Sequence, residues 1–537
     1  MAIRSRATIV TLVLCTTLAS GGWLMERGLR GTGGSGSGAK LFSKVMALVE
    51  DSYVDSVPEG QLYKKAVEGM LDELNDPHSM LLGPDRLRAL TESTSGHYAG
   101  VGIQMDLRDG WITVVAPVSG GPAERAGIRT GDRIVEVEGK STSGWTSDDA
   151  SKALRGPPGS PIHLMVERPG VTERIPVQLQ REEIRVSPVA HTRMLGGDVG
   201  YVEMTIFSEA SARDLRNAIE KLRAQGMRKL VFDLRGNPGG LLDQGVQVAE
   251  LFLDPGQRVV STRGRTEDAT LEFTDDTPQQ WADMPIVVLV DHGSASASEI
   301  VAGALQDQDR AAIVGAQSYG KGSAQSLFPL GTDGALKLTT AKWFTPLGRS
   351  IDRPSKSDDD QDDEASPTRP APVRVKTPSG RVVVGGGGIT PDVTVEDTVR
   401  PPAERAFEQA LGKNVAAFRD ALAAYALELK GTGRITSPDF TVTPEMRNAL
   451  YQRLRARKIV IDSTTWARAE PLVTRILGAQ IARYALGPDA EFARGLRNDK
   501  ALAAALQLLN GVRSQRELLD RAATLGAATK VDSTSRK

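Results

Sequence analysis

The sequence predicts a multidomain protein of the α/β class, and three patterns along the chain lead to this prediction. In residues 183–400, apolar strands such as Ile286–Val290 alternate with helices, which is typical of a sheet with helices packed on it. Short strands and turns fill residues 96–182 and predict a small β-rich domain. Apolar residues recur at helical spacing on both sides, so residues 41–95 are predicted to form an N-terminal helical segment and residues 401–537 an all-helical C-terminal region.

Composition argues against several classes of protein. Lysine and arginine number 66 against 67 aspartates and glutamates, a net charge of −1, which argues against a dedicated nucleic-acid binder. The one cysteine, Cys15, excludes a disulfide framework within the chain and a multi-cysteine zinc site. The five histidines lack the HExxH spacing of zinc hydrolases. No metal and no nucleic-acid partner is therefore expected.

The N-terminus reads as an export segment. Two arginines precede an uncharged, largely apolar run from Ala7 to Met25, which is typical of a signal sequence. Thr17-Leu18-Ala19 offers a cleavage site, but Trp23 extends the run toward the length of a membrane anchor, so both outcomes stay open. We expect residues 1–30 to be a signal peptide or signal anchor, and residues 31–40 a Gly/Ser linker. The predicted location is the periplasm or cell envelope, with anchoring to the inner membrane if the segment is retained.

Both helical regions rest on apolar residues at three- and four-residue steps. In the N-terminal segment this pattern ends at Asn75-Asp76-Pro77, a helix-terminating sequence. In the C-terminal region, a heptad-like seam of about two heptads favours a packed amphipathic helix over a coiled coil. The seam consists of Val415, Phe418, Leu422, Tyr425 and Leu429. Thr443-Pro444 predicts a further helix start. A scaffold or oligomerisation role is the expectation for this region.

The β-rich domain resembles a PDZ domain. Its predicted elements include a strand opening at Tyr98, a strand over Trp111–Val115 and a helix over Ser147–Leu154. The loop of Gly100, Val101, Gly102 and Ile103 matches the PDZ loop whose N–H groups receive a peptide's terminal carboxylate. In such domains the peptide adds as an extra strand. The alternative is a small β-barrel that binds nothing.

Three serines directly after a buried strand are the strongest candidates for chemistry. Ser294, Ser296 and Ser298 lie in Gly293–Ile300, where small residues leave a hydroxyl accessible and a helix N-terminus could stabilise an oxyanion. A serine becomes a nucleophile only if a base takes its proton. Small residues here could equally serve close packing and helix capping.

Two residues are candidate bases, and a glycine-rich turn is a candidate oxyanion site. His292 is near the serines in sequence, and Lys321 lies between two predicted strands, flanked by glycines. Gly236-Asn237-Pro238-Gly239-Gly240 could present backbone N–H groups to a developing negative charge, or could be a plain turn. Spacing alone does not decide among these possibilities.

Residues near 355–380 interrupt the alternation of strands and helices. Six acids occur in the seven residues 358–364, and three prolines follow. Such a composition predicts a disordered surface insertion.

Together, these motifs resemble the carboxyl-terminal processing proteases, also called tail-specific proteases. These are serine peptidases with a Ser–Lys catalytic pair and an inserted PDZ domain. The resemblance spans residues 41–399 and includes Asp76-Pro77-His78-Ser79 and Gly388–Asp392 in addition to the stretches above. It implies a crotonase-like (ClpP-like) α/β protease core. The pattern common in the family, Asn-Glu before Gly-Ser-Ala-Ser, is replaced here by Asp291-His292.

The resemblance also implies roles for individual residues. Ser296 matches the nucleophile, Lys321 the base and Gln325 the residue that orients the lysine. The implied oxyanion donors are the backbone N–H groups of Ala297 and of the turn at Gly239 and Gly240.

The implied activity is a serine endopeptidase that cleaves exported proteins near nonpolar C-termini without cofactor, metal or ATP. Expected partners are protein or peptide substrates with free C-termini, an adaptor or activator protein, and a second copy of the chain bound through helical regions. The alternative from another class is a PDZ-centred peptide-binding protein with an inactive or partner-gated core.

Overall fold

A computed structural model describes residues 35–353, 373–395 and 401–534. The predicted export segment and residues 355–372 of the predicted insertion lie outside these residues. Across the described ranges, no helix has both the length and the apolar character needed to span a membrane. The chain divides into two compact units, and in the described residues the first comprises 35–83 with 327–338.

The first unit is built from helices and one short strand pairing. Its elements are α1 (Ser35–Ser52), α2 (Glu59–Asp72) and β1 (Met80–Leu82). β1 pairs antiparallel with residues 335–337. The helix α1 begins inside the predicted Gly/Ser linker, so residues 35–40 are helical and the prediction of a linker there is wrong. The glycines in this stretch did not prevent helix formation, since propensity is a weak constraint.

The second unit begins with a β-rich domain. Its elements are α3 (Pro84–Ser95), β2 (His97–Gly100), β3 (Ile103–Arg108), β4 (Trp111–Pro117), α4 (Pro122–Arg125), β5 (Arg133–Val137), β6 (Lys140–Ser141), α5 (Ser147–Leu154), β7 (Pro161–Glu167), β8 (Ile175–Gln180) and β9 (Glu182–Arg185). The sheet order is β3-β4-β5-β7-β8, with β6 on β5. The strand predicted from Tyr98 to Ile103 is two strands, because Gly102 has a φ of +72° and turns the chain.

A second sheet follows and forms the centre of the unit. Residues 189–394 contain the strands of this sheet together with other elements, namely β10 (Val189–Gly196), β11 (Val199–Met204), α6 (Ser211–Ala224), β12 (Lys229–Asp233), α7 (Leu242–Glu250), β13 (Arg258–Gly264), β14 (Glu272–Thr274), β15 (Ile286–Val290), α8 (Ala297–Asp307), β16 (Ala312–Gly315), β17 (Ser323–Pro329), β18 (Ala335–Phe344), β19 (Arg374–Lys376), β20 (Val382–Val384) and β21 (Val393–Thr394). Residues 327–338, in β17 and β18, belong to the first unit. The order β10-β11-β12-β15-β16-β21 is parallel except at β10. This central sheet confirms the predicted α/β alternation, and every residue of β15 is buried.

The end of the predicted disordered insertion is ordered. Strand β19 pairs with β20 from Arg374↔Val384 to Lys376↔Val382. Thr377 is buried at 4% exposure. The prediction of disorder is therefore wrong for residues 374–377, where alternating charged and apolar residues form a hairpin strand.

The C-terminal region is helical, as predicted. Its helices are α9 (Pro402–Leu411), α10 (Val415–Gly431), α11 (Pro444–Ala456), α12 (Ser463–Arg468), α13 (Glu470–Leu486), α14 (Pro488–Gly495), α15 (Lys500–Leu509) and α16 (Gln515–Thr534). Thr443 caps α11, accepting a hydrogen bond from the Met446 N–H at 3.3 Å, which confirms the predicted helix start. Of the predicted seam, Phe418, Leu422 and Tyr425 are buried in a local core.

The two faces of the central sheet are covered by different parts of the chain. Helices α6, α7 and α8 cover one face, with Leu215 and Val301 among the buried residues. Helices α15 and α16 cover the other face, where Leu502 and Leu518 pack against strand residues such as Val231. The C-terminal region is thus part of the folded core of this unit, because the sheet would otherwise expose an apolar face to water.

Candidate active site

Two segments leave the central sheet at the same edge. β12 and β15 are parallel neighbours, with Asp233 beside Leu289. Residues 234–240, the glycine turn, follow β12, and residues 291–296, the serine loop, follow β15. Functional groups commonly gather at the carboxyl ends of parallel strands, where such loops meet.

Ser296 has an unusual backbone. It is the residue before α8 and has φ +53° and ψ −116°. This conformation is uncommon for a residue with a side chain and is typical of functional sites. Its N–H donates to Glu299 Oε2 at 2.8 Å, and its side chain is half-buried.

Hydrogen bonding separates the three candidate serines. The Ser294 hydroxyl donates to the Leu234 carbonyl at 2.8 Å, and the Ser298 hydroxyl donates to the Asn237 carbonyl at 2.9 Å. Both serines are fully buried, and their bonds join the glycine turn to the serine loop and to the start of α8. The hydroxyl of Ser296 makes no such bond to the glycine turn within the described residues, a distinction that the composition of the motif did not provide.

Glu299 connects the serine loop to the segment that carries Lys321. Its Oε1 accepts from the Ser318 hydroxyl at 2.6 Å and the Gly320 N–H at 2.7 Å. Its Oε2 accepts from the N–H groups of Ser296 at 2.8 Å and Lys321 at 3.0 Å. Burial raises the pKa of Glu299, and these four hydrogen bonds act in the opposite direction. The sequence motifs assigned no role to Glu299.

Lys321 is held by its backbone on both sides. Its carbonyl accepts a hydrogen bond from the Trp343 indole N–H at 3.0 Å, and its own N–H donates to Glu299 Oε2. The preceding Gly320 has a φ of +89°, which favours glycine. Gln325 lies on β17, where its amide donates to Ser323 Oγ at 3.0 Å and Thr339 Oγ1 at 3.2 Å.

The alternative base, His292, and its neighbour Asp291 differ sharply in environment. His292 is exposed and forms no side-chain hydrogen bond with the described residues. Asp291 Oδ1 accepts from the N–H groups of Gly236 at 2.8 Å and Gly293 at 2.9 Å. Asp291 therefore links the glycine turn to the serine loop, a role that short carboxylate side chains suit at turns.

The glycine turn approaches Ser296 closely. A Cβ atom on Gly239 would lie 2.8 Å from Ser296 Cβ, and one on Gly240 would lie 2.0 Å from the Phe207 carbonyl oxygen. The Gly239 N–H already donates to Asn237 Oδ1 at 2.9 Å. Within the described part of the chain, the N–H groups of Gly240 and Ala297 donate to no acceptor. Of the three predicted oxyanion donors, these two are open and Gly239 is engaged.

The predicted peptide-binding loop is tied into the β-rich domain through its carbonyls. Those of Val101 and Gly102 accept from Ala123 at 3.0 Å and Val118 at 2.9 Å. The next strand, β3, is an edge strand of its sheet as far as the described residues go. An edge strand is the feature to which an extended peptide can add.

Comparison with known proteins matches three parts of the chain to families. Residues 198–360 match peptidase family S41, residues 113–168 match the PDZ domain, and residues 31–85 match the N-terminal domain of the activating protease CtpB. A carboxy-terminal-processing protease of Bartonella bacilliformis is 37% identical over 377 residues, which are 70% of this chain and 78% of the relative.

Two solved structures are also similar in part. The photosystem II D1 C-terminal processing protease is 29% identical with a TM-score of 0.36, over 69% of this chain and 91% of that structure. The PDZ domain of the carboxy-terminal protease from Vibrio cholerae, solved in complex with a peptide, is 31% identical with a TM-score of 0.16. That match covers 17% of this chain and 99% of the domain.

Proposed function

The chain belongs to the carboxyl-terminal processing protease family, peptidase family S41, and on this premise we propose that it is a serine endopeptidase acting near the C-termini of other proteins. The observation that carries the proposal is the position of Ser296, which lies beside the glycine turn and is joined through Glu299 to the backbone of Lys321. A nucleophile, a candidate base and open N–H donors within one hydrogen-bonded framework are what acyl transfer needs.

The proposed mechanism uses Ser296 and Lys321 as a pair. Neutral Lys321 takes the hydroxyl proton as Ser296 Oγ attacks the scissile carbonyl, and the proton then passes to the leaving amine. The N–H groups of Ala297 and Gly240 stabilise the oxyanion. Water, activated by Lys321, hydrolyses the acyl-enzyme and restores both side chains. Gln325 is proposed to orient Lys321.

The PDZ domain is proposed to hold the substrate's C-terminus. Because a carboxylate accepts hydrogen bonds, its recognition falls to the N–H groups of the loop from Gly100 to Ile103, which is anchored in the domain through the carbonyls of Val101 and Gly102. Peptides with nonpolar ends are the proposed ligands. The export segment supports action outside the cytoplasm, in the periplasm or cell envelope.

The test is proteolysis by the purified protein. An unfolded substrate with an apolar C-terminus is incubated with wild type and Ser296→Ala, and released peptides are identified by mass spectrometry. We expect Ser296→Ala to release none while remaining folded. Full proteolysis by Ser296→Ala would reject the assignment of the nucleophile.

A partner-gated core is the second candidate, and one contact favours it. The Gly239 N–H is occupied by Asn237, so one predicted oxyanion donor is not open in this conformation. Under this alternative, the wild-type chain binds the apolar-tailed substrate but releases no peptides until an activator or adaptor is added. Release of peptides by the purified chain alone would exclude it.

A further inference from the structure

Arg235 lies near the start of the glycine turn, and its guanidinium binds two carboxylates. Its Nε donates to Asp233 Oδ1 at 3.0 Å, and its Nη2 to Asp233 Oδ2 at 2.6 Å. Its Nη1 and Nη2 also donate to the two oxygens of Asp499, at 3.0 and 2.6 Å. Asp233 ends β12, whereas Asp499 is 264 residues away in the C-terminal region. A bidentate arginine–carboxylate pair fixes the relative orientation of the two groups as well as the distance between them.

Asp499 is itself held in place. It is the N-cap of α15, and its Oδ1 accepts from the Leu502 N–H at 2.9 Å. The helix α15 packs on the central sheet through Leu502 and Leu508. The side chain of Asp499 is 13% exposed. A carboxylate fixed to a packed helix offers the arginine a rigid anchor.

The first half of the glycine turn is attached at three successive residues. The Arg235 N–H donates to Asp233 Oδ1 at 2.9 Å, and the Gly236 N–H donates to Asp291. Further along, the Asn237 carbonyl accepts from the Ala295 N–H at 3.0 Å. Displacement of Arg235 would therefore move the chain that leads to Gly240. Small displacements of groups that stabilise a transition state reduce catalysis strongly.

We propose that Asp499 is a positioning residue for the active site: through Arg235 it holds the glycine turn in the geometry that receives the oxyanion. The inference rests on the proposed function. The C-terminal helical region then helps to position the active site, through Arg235, in addition to covering the sheet. The partial positive charge at the N-terminus of α15 also stabilises the carboxylate of an aspartate at this position.

The experiment separates this role from helix capping. Asp499→Asn keeps an N-cap acceptor of nearly the same shape but removes the charge, and Asp499→Ser keeps a cap that is too short for Arg235. Asp439→Asn is the matched control, because Asp439 pairs with Arg497 in the same region with both side chains largely exposed. All are made in the full chain and assayed on one peptide with an apolar C-terminus.

We expect both Asp499 variants to lower kcat about tenfold, with KM changed by less than about twofold and little change in Tm. Asp439→Asn should retain wild-type values. Arg235→Lys should lower kcat, and adding Asp499→Asn to it should cause little further loss, because both changes break one interaction.

Two outcomes would overturn the proposal. One is wild-type kcat in both Asp499 variants. The other is a loss that follows thermal stability and occurs equally in Asp439→Asn. Failure of the proposed function is a separate result, seen as retained proteolysis in Ser296→Ala, whatever the Asp499 variants do.

Discussion

Ser296 and Lys321 donate their backbone N–H groups to the same atom, Oε2 of Glu299, at 2.8 and 3.0 Å. One buried carboxylate therefore sets the relative placement of the proposed nucleophile and the proposed base. Because its other oxygen accepts from Ser318 and Gly320, all four of its hydrogen bonds serve this one junction.

Replacing this carboxylate should disable the enzyme. In Glu299→Gln, an NH2 group takes the place of one oxygen and faces two donors, so two hydrogen bonds are lost and the donors repel. We expect kcat to fall at least about a hundredfold and the free energy of unfolding to fall by about 2–4 kcal/mol. Peptide kinetics and chemical denaturation measure the two effects. Glu267→Gln, at an exposed glutamate, is the control, and equal behaviour of the two variants would contradict the junction.

The assignment of Lys321 as base makes a second prediction. Lys321→Arg puts a guanidinium in place of the amine, and a guanidinium does not lose a proton in the working pH range. We expect no detectable turnover, with wild-type binding of an apolar-tailed peptide measured by fluorescence anisotropy. Lys342→Arg, at an exposed lysine paired with Asp352 at 3.3 Å, should stay active. Undiminished activity in Lys321→Arg would point to another base, with His292 the next to test.

The glycine turn offers a matched pair of substitutions. Gly239 has a φ of +92°, and a Cβ there would lie 2.7 Å from the Ala295 carbonyl oxygen. Gly236 has a φ of +66°, but a Cβ there would meet no atom within 4 Å. We expect Gly236→Ala to cost about 1 kcal/mol of stability from its backbone conformation alone. Gly239→Ala should also lower kcat by about a hundredfold or more, since it displaces the serine loop.

Kinetics and thermal denaturation of the two alanine variants test this pair. Similar kcat values in both would show that the contact between Gly239 and the serine loop does not matter for turnover. A larger loss in Gly236→Ala than in Gly239→Ala would reverse the assignment of the close approach.

The raised pKa of Glu203 predicts how the stability of the protein depends on pH. Burial raises the pKa of Glu203 to about 7, Asp233 adds to the rise, and Arg235 opposes it. His191 Nε2 lies 4.0 Å from Glu203 Oε2, and burial lowers the pKa of this histidine. An acid with a raised pKa stabilises the fold while protonated, so its contribution is complete below about pH 4 and is lost as the pH rises through about 7.

Removing this titration should flatten the stability profile between pH 5 and pH 8. We expect Glu203→Gln to be more stable than wild type by about 1–3 kcal/mol at pH 8, and less different at pH 5, by urea denaturation. Glu173→Gln, at an exposed glutamate, should follow the wild-type profile. A Glu203→Gln variant that also follows it would show that the carboxyl group ionises at its ordinary pKa.

Local patterns were sufficient for much of the fold. The strand Ile286–Val290 and the helix start at Thr443 were predicted from apolar runs and capping residues, because both depend on neighbours in sequence. The split at Gly102 and the helical start at Ser35 were missed, because the first depends on the positive φ of one glycine and the second runs through glycines that predicted a linker. The crotonase-like description of the core stays a prediction.

The candidate site was likewise predicted in part from the sequence and in part only from the structure. Ser296 and Lys321 were selected through family motifs, whereas the separation of Ser296 from Ser294 and Ser298 depends on hydrogen bonds to carbonyls about 60 residues away in the chain. The contact between Arg235 and Asp499 joins regions with no shared motif. Such pairings are properties of the folded chain, and one sequence read alone contains no signal for them.

The covering of one face of the central sheet by α15 and α16 has a consequence for the order of folding. Strands β11, β12 and β15 come before the residues that cover their second face, such as Leu502 and Leu518, by more than 200 positions in the chain. All the proposed catalytic residues therefore precede, in the chain, the helices that cover the second face of the sheet. Completion of the proposed active site therefore depends on the docking of this later segment on the sheet.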